Sequence, residues 1–210
     1  EGCRNHKVKH LVYASSSSVY GENKKVPFET TDNVDHPISL YAATKKSNEL
    51  MAHTYGHLYG FKTTGLRFFT VYGPWGRPDM AYYLFAEAIS NDKPIKVFNN
   101  GQMERDFTYI NDIVNGVTKI IEKNIDSREH YKIYNIGNNK TESLSDFITT
   151  IEDAIGEKAV KQMLPMQPGD VPKTFANIDG LKNDYHYYPK TDIKKGIVNF
   201  INWFKTYKKI

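Results

Sequence analysis

Strand-like and helix-like segments alternate along this chain, and that alternation constrains the fold more than any other feature. Residues 8–15 form a β-branched run that ends in small side chains. Residues 40–58 then repeat apolar side chains at helical spacing, with Ser39 suited to the N-cap and Gly60 to the stop. A second strand is predicted at residues 62–71. Strands separated by helices are typical of an α/β fold with a parallel sheet.

The same alternation continues to the C-terminus. Helices are predicted at about residues 79–91, 112–123, 143–156 and 193–204, strands at 95–98, 107–110 and 131–136, and an extended segment at 170–176. Ser143 and Asp146 resemble a capping box, and Gly156 is suited to end that helix. The final helix carries one apolar stripe, which predicts core packing.

Length and composition favour an intracellular globular protein. A chain of 210 residues that is 40% hydrophobic can bury the core of one domain, or of one domain and a small lobe. No run approaches about 18 apolar residues, and the N-terminus lacks an apolar signal core, so we expect no membrane span and no secretion. The single cysteine, Cys3, rules out an internal disulfide and fits a cytoplasmic location.

The charge pattern argues against nucleic acid as a partner. The formal net charge is +4, but its excess lies in mixed runs without interleaved stacking aromatics. An anionic small ligand explains this balance equally well. His53 and His57 share a helix face without a Glu in HExxH form or a third ligand, so we predict no metal site.

Tyr41 and Lys45 stand four residues apart near the start of the first predicted helix, so their side chains lie on one face. A phenol, with a reference pKa of about 10, is a weak base at neutral pH, but an ammonium group within about 4 to 6 Å favours its ionised form. The pair therefore predicts a general base, Tyr41, tuned by Lys45. A Tyr and a Lys at this spacing can also be filler on a helix surface, but a serine cluster at residues 15–18 lies just upstream and favours chemistry on a sugar hydroxyl.

Five blocks, in order, carry a resemblance that covers nearly the whole chain. They are residues 12–21, 39–46, 65–80, 105–110 and 167–172. On these blocks the chain resembles the extended short-chain dehydrogenase/reductases that act on nucleotide sugars, and most closely the UDP-glucuronate 4-epimerases of capsule and cell-wall polysaccharide synthesis. The resemblance implies the C-terminal part of a Rossmann-like doubly wound parallel sheet in residues 1–73, to which residues 105–137 return. It also implies a smaller α/β lobe that binds the nucleotide sugar, in residues 74–104 and 138–210.

The resemblance assigns roles to three residues in a reaction that inverts C4 of the sugar. Ser16 would hydrogen-bond the reacting O4, and Tyr41 would remove its proton. Lys45 would bind the nicotinamide ribose of NAD and tune Tyr41, which also lies beside the cofactor. The hydride from C4 goes to tightly held NAD, and the 4-keto sugar turns over and takes it back on its other face. A positioned base, a tuning charge and a cofactor are what the chemistry needs.

The sugar end of the substrate is implied by four further residues. Family dehydratases and decarboxylases usually have an acidic residue just before Val-Tyr-Gly, where this chain has Ser17 and Ser18, so epimerisation is favoured. These serines, Thr70 and Arg77 resemble a lining suited to the carboxylate of a uronate, which an arginine can bind bidentately. Galactose epimerases more often have Asn at the Thr70 position. Arg77 can instead be a loop residue with its charge in water.

The nucleotide end is implied by Arg105, which resembles a diphosphate ligand, and by Asp170, which resembles a ligand of the ribose hydroxyls. Gln167 stands where galactose epimerases tend to have a second arginine, so more of the diphosphate binding would fall on Arg105. A local ion pair between Arg105 and Asp106 is the structural alternative.

The main departure from the family is the phosphate-cradling Gly-x-x-Gly-x-x-Gly turn, which the sequence does not contain. We therefore expect the chain to begin just before the family's fourth strand, without about three βα units of about 30 residues each. Such a chain would leave a sheet edge unpaired. Three functions stay open: an epimerase seen in part and homodimeric in full, an inactive remnant that at most binds a nucleotide sugar, and an epimerase for a neutral UDP-sugar.

Overall fold

The structure, a computed structural model, describes residues 1–123, 129–167 and 169–210. Its helices are α1 (Gly2–Asn5), α2 (Leu40–Tyr59), α3 (Ala81–Ile89), α4 (Ile110–Glu122), α5 (Leu144–Ile155), α6 (Asp179–Tyr185) and α7 (Ile193–Lys208). Its strands are β1 (His10–Ser16), β2 (Lys62–Phe68), β3 (Thr70–Tyr72), β4 (Ile95–Val97), β5 (Glu104–Arg105), β6 (Phe107–Tyr109), β7 (Tyr131–Ile136), β8 (Glu142–Ser143) and β9 (Lys161–Met163).

The main sheet contains β1, β2 and β7 in that order, with both pairings parallel. Within the described residues, β1 lies at an edge of this sheet. Parallel neighbours need crossover connections, and α2 supplies the connection between β1 and β2. The α/β class predicted from the alternation of segments is therefore confirmed.

Helix α2 begins and ends at the predicted residues. The Ser39 hydroxyl accepts a hydrogen bond of 3.1 Å from the Ala42 N–H, which satisfies one of the free donors of the first turn. Gly60 ends the helix with φ 72°, a left-handed conformation that favours glycine. The N-cap at Ser39 places Tyr41 and Lys45 within the first two turns of the helix.

The predicted strand at residues 62–71 is wrong as one continuous element. It breaks at Phe69, whose N–H donates to the Ile136 carbonyl at 3.2 Å, while the next N–H, of Thr70, donates to the Asp106 carbonyl at 3.1 Å. After the break, β3 pairs with β6 rather than with the main sheet. This change of partner takes Thr70 away from β2 and onto a second layer of the molecule.

Two apolar clusters form the core. One lies between the main sheet, α4 and the α6 region. The other joins β3, β4 and β6 to α3, α5 and α7, where Phe107 and Phe147 stack with ring centroids 3.9 Å apart. The predicted stripe on the last helix is buried in this second cluster. The division into domains at residues 73, 105 and 137 stays a prediction, and residues 176–187 pack with the first cluster.

Among the helices of the described residues, none is both long enough and apolar enough to cross a membrane.

Candidate active site

Tyr41 and Lys45 lie on one face of α2 beside the carboxyl end of β1. The Lys45 ammonium is 5.7 Å from the centroid of the Tyr41 ring, and it donates a hydrogen bond of 3.1 Å to the Ala14 carbonyl. Ala14 is two residues before Ser16, where β1 ends. The contact therefore holds the predicted base and its neighbouring charge at the end of the strand that carries the serine cluster. The Tyr41 side chain remains open to ligands, because the residue is 54% exposed.

Ser16 is buried at the point where β1 passes into a short 3₁₀ turn at Ser17–Tyr20. Its hydroxyl accepts a hydrogen bond of 3.1 Å from the Ser18 N–H and lies 3.1 Å from the Ser18 hydroxyl. Gly21 ends the turn at φ 56°, and a Cβ there would lie 2.6 Å from the His36 carbonyl oxygen. The Val-Tyr-Gly sequence thus has a steric reason for its glycine.

Two adjoining cavities open next to this turn. A cleft of about 700 Å³ is lined by Thr70, Arg105, Gln167 and Asp170, together with apolar side chains of α3 and β4. A smaller cavity of about 180 Å³ is lined by Ser17, Ser18, Thr70, Arg105 and Asp170. The structure therefore brings together six of the seven residues predicted to bind substrate. A largely apolar cleft with a few converging polar groups is typical of a small-molecule site.

Arg77 is the predicted substrate ligand that lines neither cavity. Its guanidinium is largely exposed and pairs with the Asp79 carboxylate at 3.4 Å. Gln167 lines the cleft, and Pro168 of the same sequence block lies outside the described residues.

Arg105 pairs with Asp170, across 65 residues of sequence, at 2.7 Å. Two further hydrogen bonds from Arg105, to the carbonyls of Glu104 and Pro172, hold the guanidinium against the cleft wall. Burial lowers the pKa of Arg105, and the Asp170 carboxylate opposes that shift. The structural alternative of a local pair with Asp106 is wrong, because Asp106 accepts instead from the N–H groups of residues 138, 139 and 176 and from the Thr108 hydroxyl.

A buried network that the sequence analysis missed joins α2 to the main sheet. Arg67 of β2 binds Glu49 of α2 through two parallel hydrogen bonds of 2.9 Å, and the Ser15 hydroxyl donates to the same carboxylate at 2.6 Å. Burial acts to lower the pKa of Arg67, but the hydrogen bonds of Glu49, together with the Tyr20 hydroxyl and the Glu49 charge, outweigh it and raise that pKa. Two signals were available in the sequence. Glu49 follows Lys45 at helical spacing, and Arg67 is a charged residue between Leu66 and Phe68 in a predicted strand.

Two residues of this site fit one end of NAD. The exposed Tyr41 hydroxyl and the Lys45 ammonium provide a donor set that fits the ribose next to a nicotinamide ring. These residues fit that end of the cofactor. Among the described residues no cluster of three or more His, Cys, Asp or Glu side chains is placed to hold a metal ion.

A parallel α/β sheet whose first strand ends in a serine cluster, beside a helix with Tyr and Lys one turn apart, defines a Rossmann-like short-chain dehydrogenase/reductase. A sequence model of the NAD dependent epimerase/dehydratase family matches residues 1–137. The chain belongs to that family, whose cofactor is NAD.

Individual relatives agree with this assignment. The chain is 51% identical over 223 residues to protein CapI of Staphylococcus aureus, covering 100% of this chain and 67% of that protein. It is 46% identical over 211 residues to a probable UDP-glucuronate 4-epimerase of Rhizobium meliloti, covering 93% of this chain and 62% of that protein. The crystal structure of UDP-glucuronic acid 4-epimerase from Bacillus cereus, in complex with UDP-glucuronic acid and NAD, superposes with a TM-score of 0.88 at 32% identity. That match covers 98% of this chain and 64% of the Bacillus chain, so the chain spans about two thirds of the length of its relatives. The Rossmann-like fold predicted from the sequence is confirmed.

Proposed function

We propose that this chain carries the catalytic and substrate-binding residues of an NAD-dependent 4-epimerase that converts UDP-glucuronate to UDP-galacturonate. The observation that carries the proposal is the placement of Tyr41 and Lys45 at the carboxyl end of β1, where the following turn contributes Ser17 and Ser18 to the smaller cavity. Relatives named as UDP-glucuronate 4-epimerases support the choice of substrate.

In the proposed reaction Tyr41 takes the proton from the sugar O4 and returns it after the sugar has turned over. Ser16 holds the same oxygen, since its hydroxyl is anchored at the turn by the Ser18 N–H and can both donate and accept. The Lys45 ammonium stabilises negative charge on Tyr41 and holds the nicotinamide ribose. NAD, when bound, supplies the acceptor and donor of the C4 hydrogen.

The sugar carboxylate is assigned to the hydroxyl groups of Ser17, Ser18 and Thr70. All three line the smaller cavity. A cluster of hydroxyl donors can bind the carboxylate of the uronate without promoting its decarboxylation. Arg77 stays a prediction of the resemblance, because its side chain is at the surface with Asp79.

The UDP moiety is assigned to the larger cleft. Its volume of about 700 Å³ lies within the usual range for ligands of this size, and Arg105 provides the cation for the diphosphate. Asp170 and Gln167 stand at the same wall and are assigned to the ribose and to the nucleotide diphosphate.

The complete enzyme needs a pyrophosphate-binding turn in addition to these residues, and we propose that an N-terminal region like that of the relatives supplies it. We also propose a cytoplasmic homodimer. The single cysteine supports the location. Exposed apolar side chains along α2 support the dimer, namely Leu40, Leu50, Met51, Leu58 and Tyr59.

The test is turnover by the chain joined to such an N-terminal region. UDP-glucuronate and UDP-glucose are supplied separately, and the stereochemistry at C4 is followed by NMR. We expect UDP-galacturonate from the first substrate and little or no product from the second. Product from UDP-glucose alone would make the enzyme an epimerase for a neutral sugar, and no product from either would leave a chain that at most binds nucleotide sugars.

The role of Tyr41 is tested in the same assay with Tyr41→Phe. We expect turnover to fall by about 10²–10⁴-fold, the usual contribution of a positioned acid or base, with UDP affinity unchanged. Tyr59→Phe is the matched control, because it removes a hydroxyl from the same helix near its other end. Near-normal turnover by Tyr41→Phe would remove Tyr41 from its role.

A further inference from the structure

The face of α2 that carries Tyr41 and Lys45 continues one turn further to Glu49. These three residues are spaced by four, so their side chains lie in a row along the helix. Lys45 bonds to the Ala14 carbonyl at 3.1 Å, and Glu49 accepts from the Ser15 hydroxyl at 2.6 Å. Successive turns of α2 are therefore fastened to successive residues of β1, directly before Ser16.

The Glu49 carboxylate also accepts both hydrogen bonds of the Arg67 fork. In the parallel register of β1 and β2, Ser15 and Arg67 are direct neighbours, so the two donors reach Glu49 from adjacent strands. A bidentate fork fixes direction as well as distance. This geometry defines both the height of α2 along the sheet and its rotation about its own axis.

The guanidinium is held from its other sides too. Arg67 donates to the Thr30 carbonyl at 3.3 Å, and its carbon lies 4.9 Å from the centroid of the Tyr20 ring. The Tyr20 hydroxyl in turn donates to Asn135 of β7 at 2.6 Å. Arg67 thus connects α2, the 3₁₀ turn of the serine cluster and the third strand of the sheet.

A fully buried ion pair adds little net stability, because the cost of desolvating both charges cancels much of their attraction. Apolar side chains of similar volume often give a fold of equal stability. The best-attested role of such a pair is to fix how two structural elements align with each other. Neither Glu49 nor Arg67 lines the cavities that hold the proposed substrate ligands.

We infer that Glu49 and Arg67, with Ser15, are positioning residues that set where the Tyr41 hydroxyl lies relative to the Ser16 hydroxyl. This inference rests on the proposed function. A displacement of about 1 Å at reacting groups can cost about 10²-fold in rate. The pair would therefore act on the chemical step and leave ligand binding in the cleft unchanged.

The experiment replaces the whole network at once. The triple variant Ser15→Ala, Glu49→Met, Arg67→Met leaves no charge of the network buried, and the Thr30 carbonyl, which loses the Arg67 donor, belongs to an exposed residue. We therefore expect its melting temperature to stay within a few degrees of the wild type. In the complete enzyme we expect kcat to fall at least tenfold, while KM and UDP affinity stay within twofold. With C4-deuterated UDP-glucuronate the isotope effect on kcat should increase, because the C4–H step becomes slower than product release.

The matched control is Glu152→Met, Lys161→Met, which removes the 2.9 Å ion pair between Glu152 of α5 and Lys161 of β9, outside the main sheet. We expect that variant to retain the wild-type kcat and isotope effect. Should the triple variant not fold, Arg67→Lys provides the same test, because it keeps the charge and loses the fork. A folded triple variant, or a folded Arg67→Lys, with wild-type kcat overturns the inference.

A second readout separates this inference from the proposed function. Crystal structures of the wild type and the variant give the position of the Tyr41 hydroxyl relative to Ser16 directly. Displacement by about 1 Å supports the inference, and identical positions overturn it. Absence of epimerisation by the wild-type enzyme would instead defeat the proposed function, and the crystallographic comparison would still decide the positioning role.

Discussion

Two arginine–carboxylate pairs in this molecule have the same chemistry and different surroundings. Arg67 and Glu49 are enclosed, with 4% and 1% of their side chains exposed, and their partners are all protein groups. Arg105 and Asp170 pair at 2.7 Å on the wall of the cleft, with 16% and 33% exposed.

The difference in burial separates their roles. Removing one partner of an enclosed pair strands a charge where water cannot reach it. At the cleft wall, water or a ligand can replace the missing partner. The enclosed pair is therefore suited to hold elements in place, whereas the cleft pair is suited to exchange its internal partner for an anionic ligand.

The largest expected effect tests the enclosed pair. Glu49→Gln should lower the free energy of unfolding by about 3–5 kcal/mol, because Arg67 is left without its counter-charge. Asp170→Asn is the matched control and should change it by less than about 1 kcal/mol. Urea denaturation of the three proteins measures both values. Equal effects would mean that burial does not distinguish the two pairs.

The next effect concerns the cleft pair. Arg105→Ala should weaken UDP binding by about 10–100-fold, since charge-assisted hydrogen bonds contribute about 1.5–3 kcal/mol and a factor of ten is about 1.4 kcal/mol. Lys173→Ala is the control, because Lys173 pairs with Glu104 nearby and does not line the cleft. Titration calorimetry gives both affinities, and unchanged UDP affinity for Arg105→Ala would refute the assignment.

The features of the fold that were predicted correctly from the sequence are those that depend on neighbouring residues. The caps of α2 at Ser39 and Gly60 depend on residues within a turn of each end, and the Tyr41 and Lys45 spacing follows from helix geometry alone. The predicted substrate ligands were found through family resemblance, and the structure places six of the seven along the walls of the cleft and the smaller cavity.

The features that could not be predicted from the sequence depend on contacts between residues far apart in the chain. Nothing local marks the break at Phe69, because its cause is a change of partner from Ile136 to Asp106. Arg105 has an acidic neighbour in sequence, yet it pairs with Asp170, 65 residues away. Glu49 is charged and would be expected at the surface of its helix, and its burial is explained by the folded positions of Arg67 and Ser15, which donate to its carboxylate.

A further prediction concerns whether Arg105 exchanges its ion pair with Asp170 for a contact with the diphosphate. In Asp170→Asn, Arg105 loses its internal counter-charge, so its affinity for inorganic pyrophosphate should rise about threefold. UDP affinity should fall about 5–10-fold, because the proposed carboxylate contact to the ribose is lost. Calorimetric titration with the two ligands decides the matter. If both affinities changed in the same direction, an exchange between Asp170 and the diphosphate would be ruled out.

The smallest effect comes from a third acidic residue with intermediate surroundings. Glu152 is buried on α5, but the side chains of its partners Lys158 and Lys161 are 74% and 36% exposed. Burial acts to raise the pKa of Glu152, yet Lys161, the Ala159 N–H and Lys158 outweigh it and lower that pKa. A lowered pKa in the folded state stabilises the fold above the ordinary value of 4.5, and this stabilisation is lost as the pH falls through the folded-state pKa.

We therefore expect Glu152→Gln to cost about 0.5–1 kcal/mol at pH 7 and progressively less below pH 4.5, as urea denaturation across pH would show. A cost that does not vary with pH would mean that the hydrogen bond of the Ala159 N–H, rather than the charge on Glu152, provides the stabilisation, because an amide oxygen can accept it equally well at any pH.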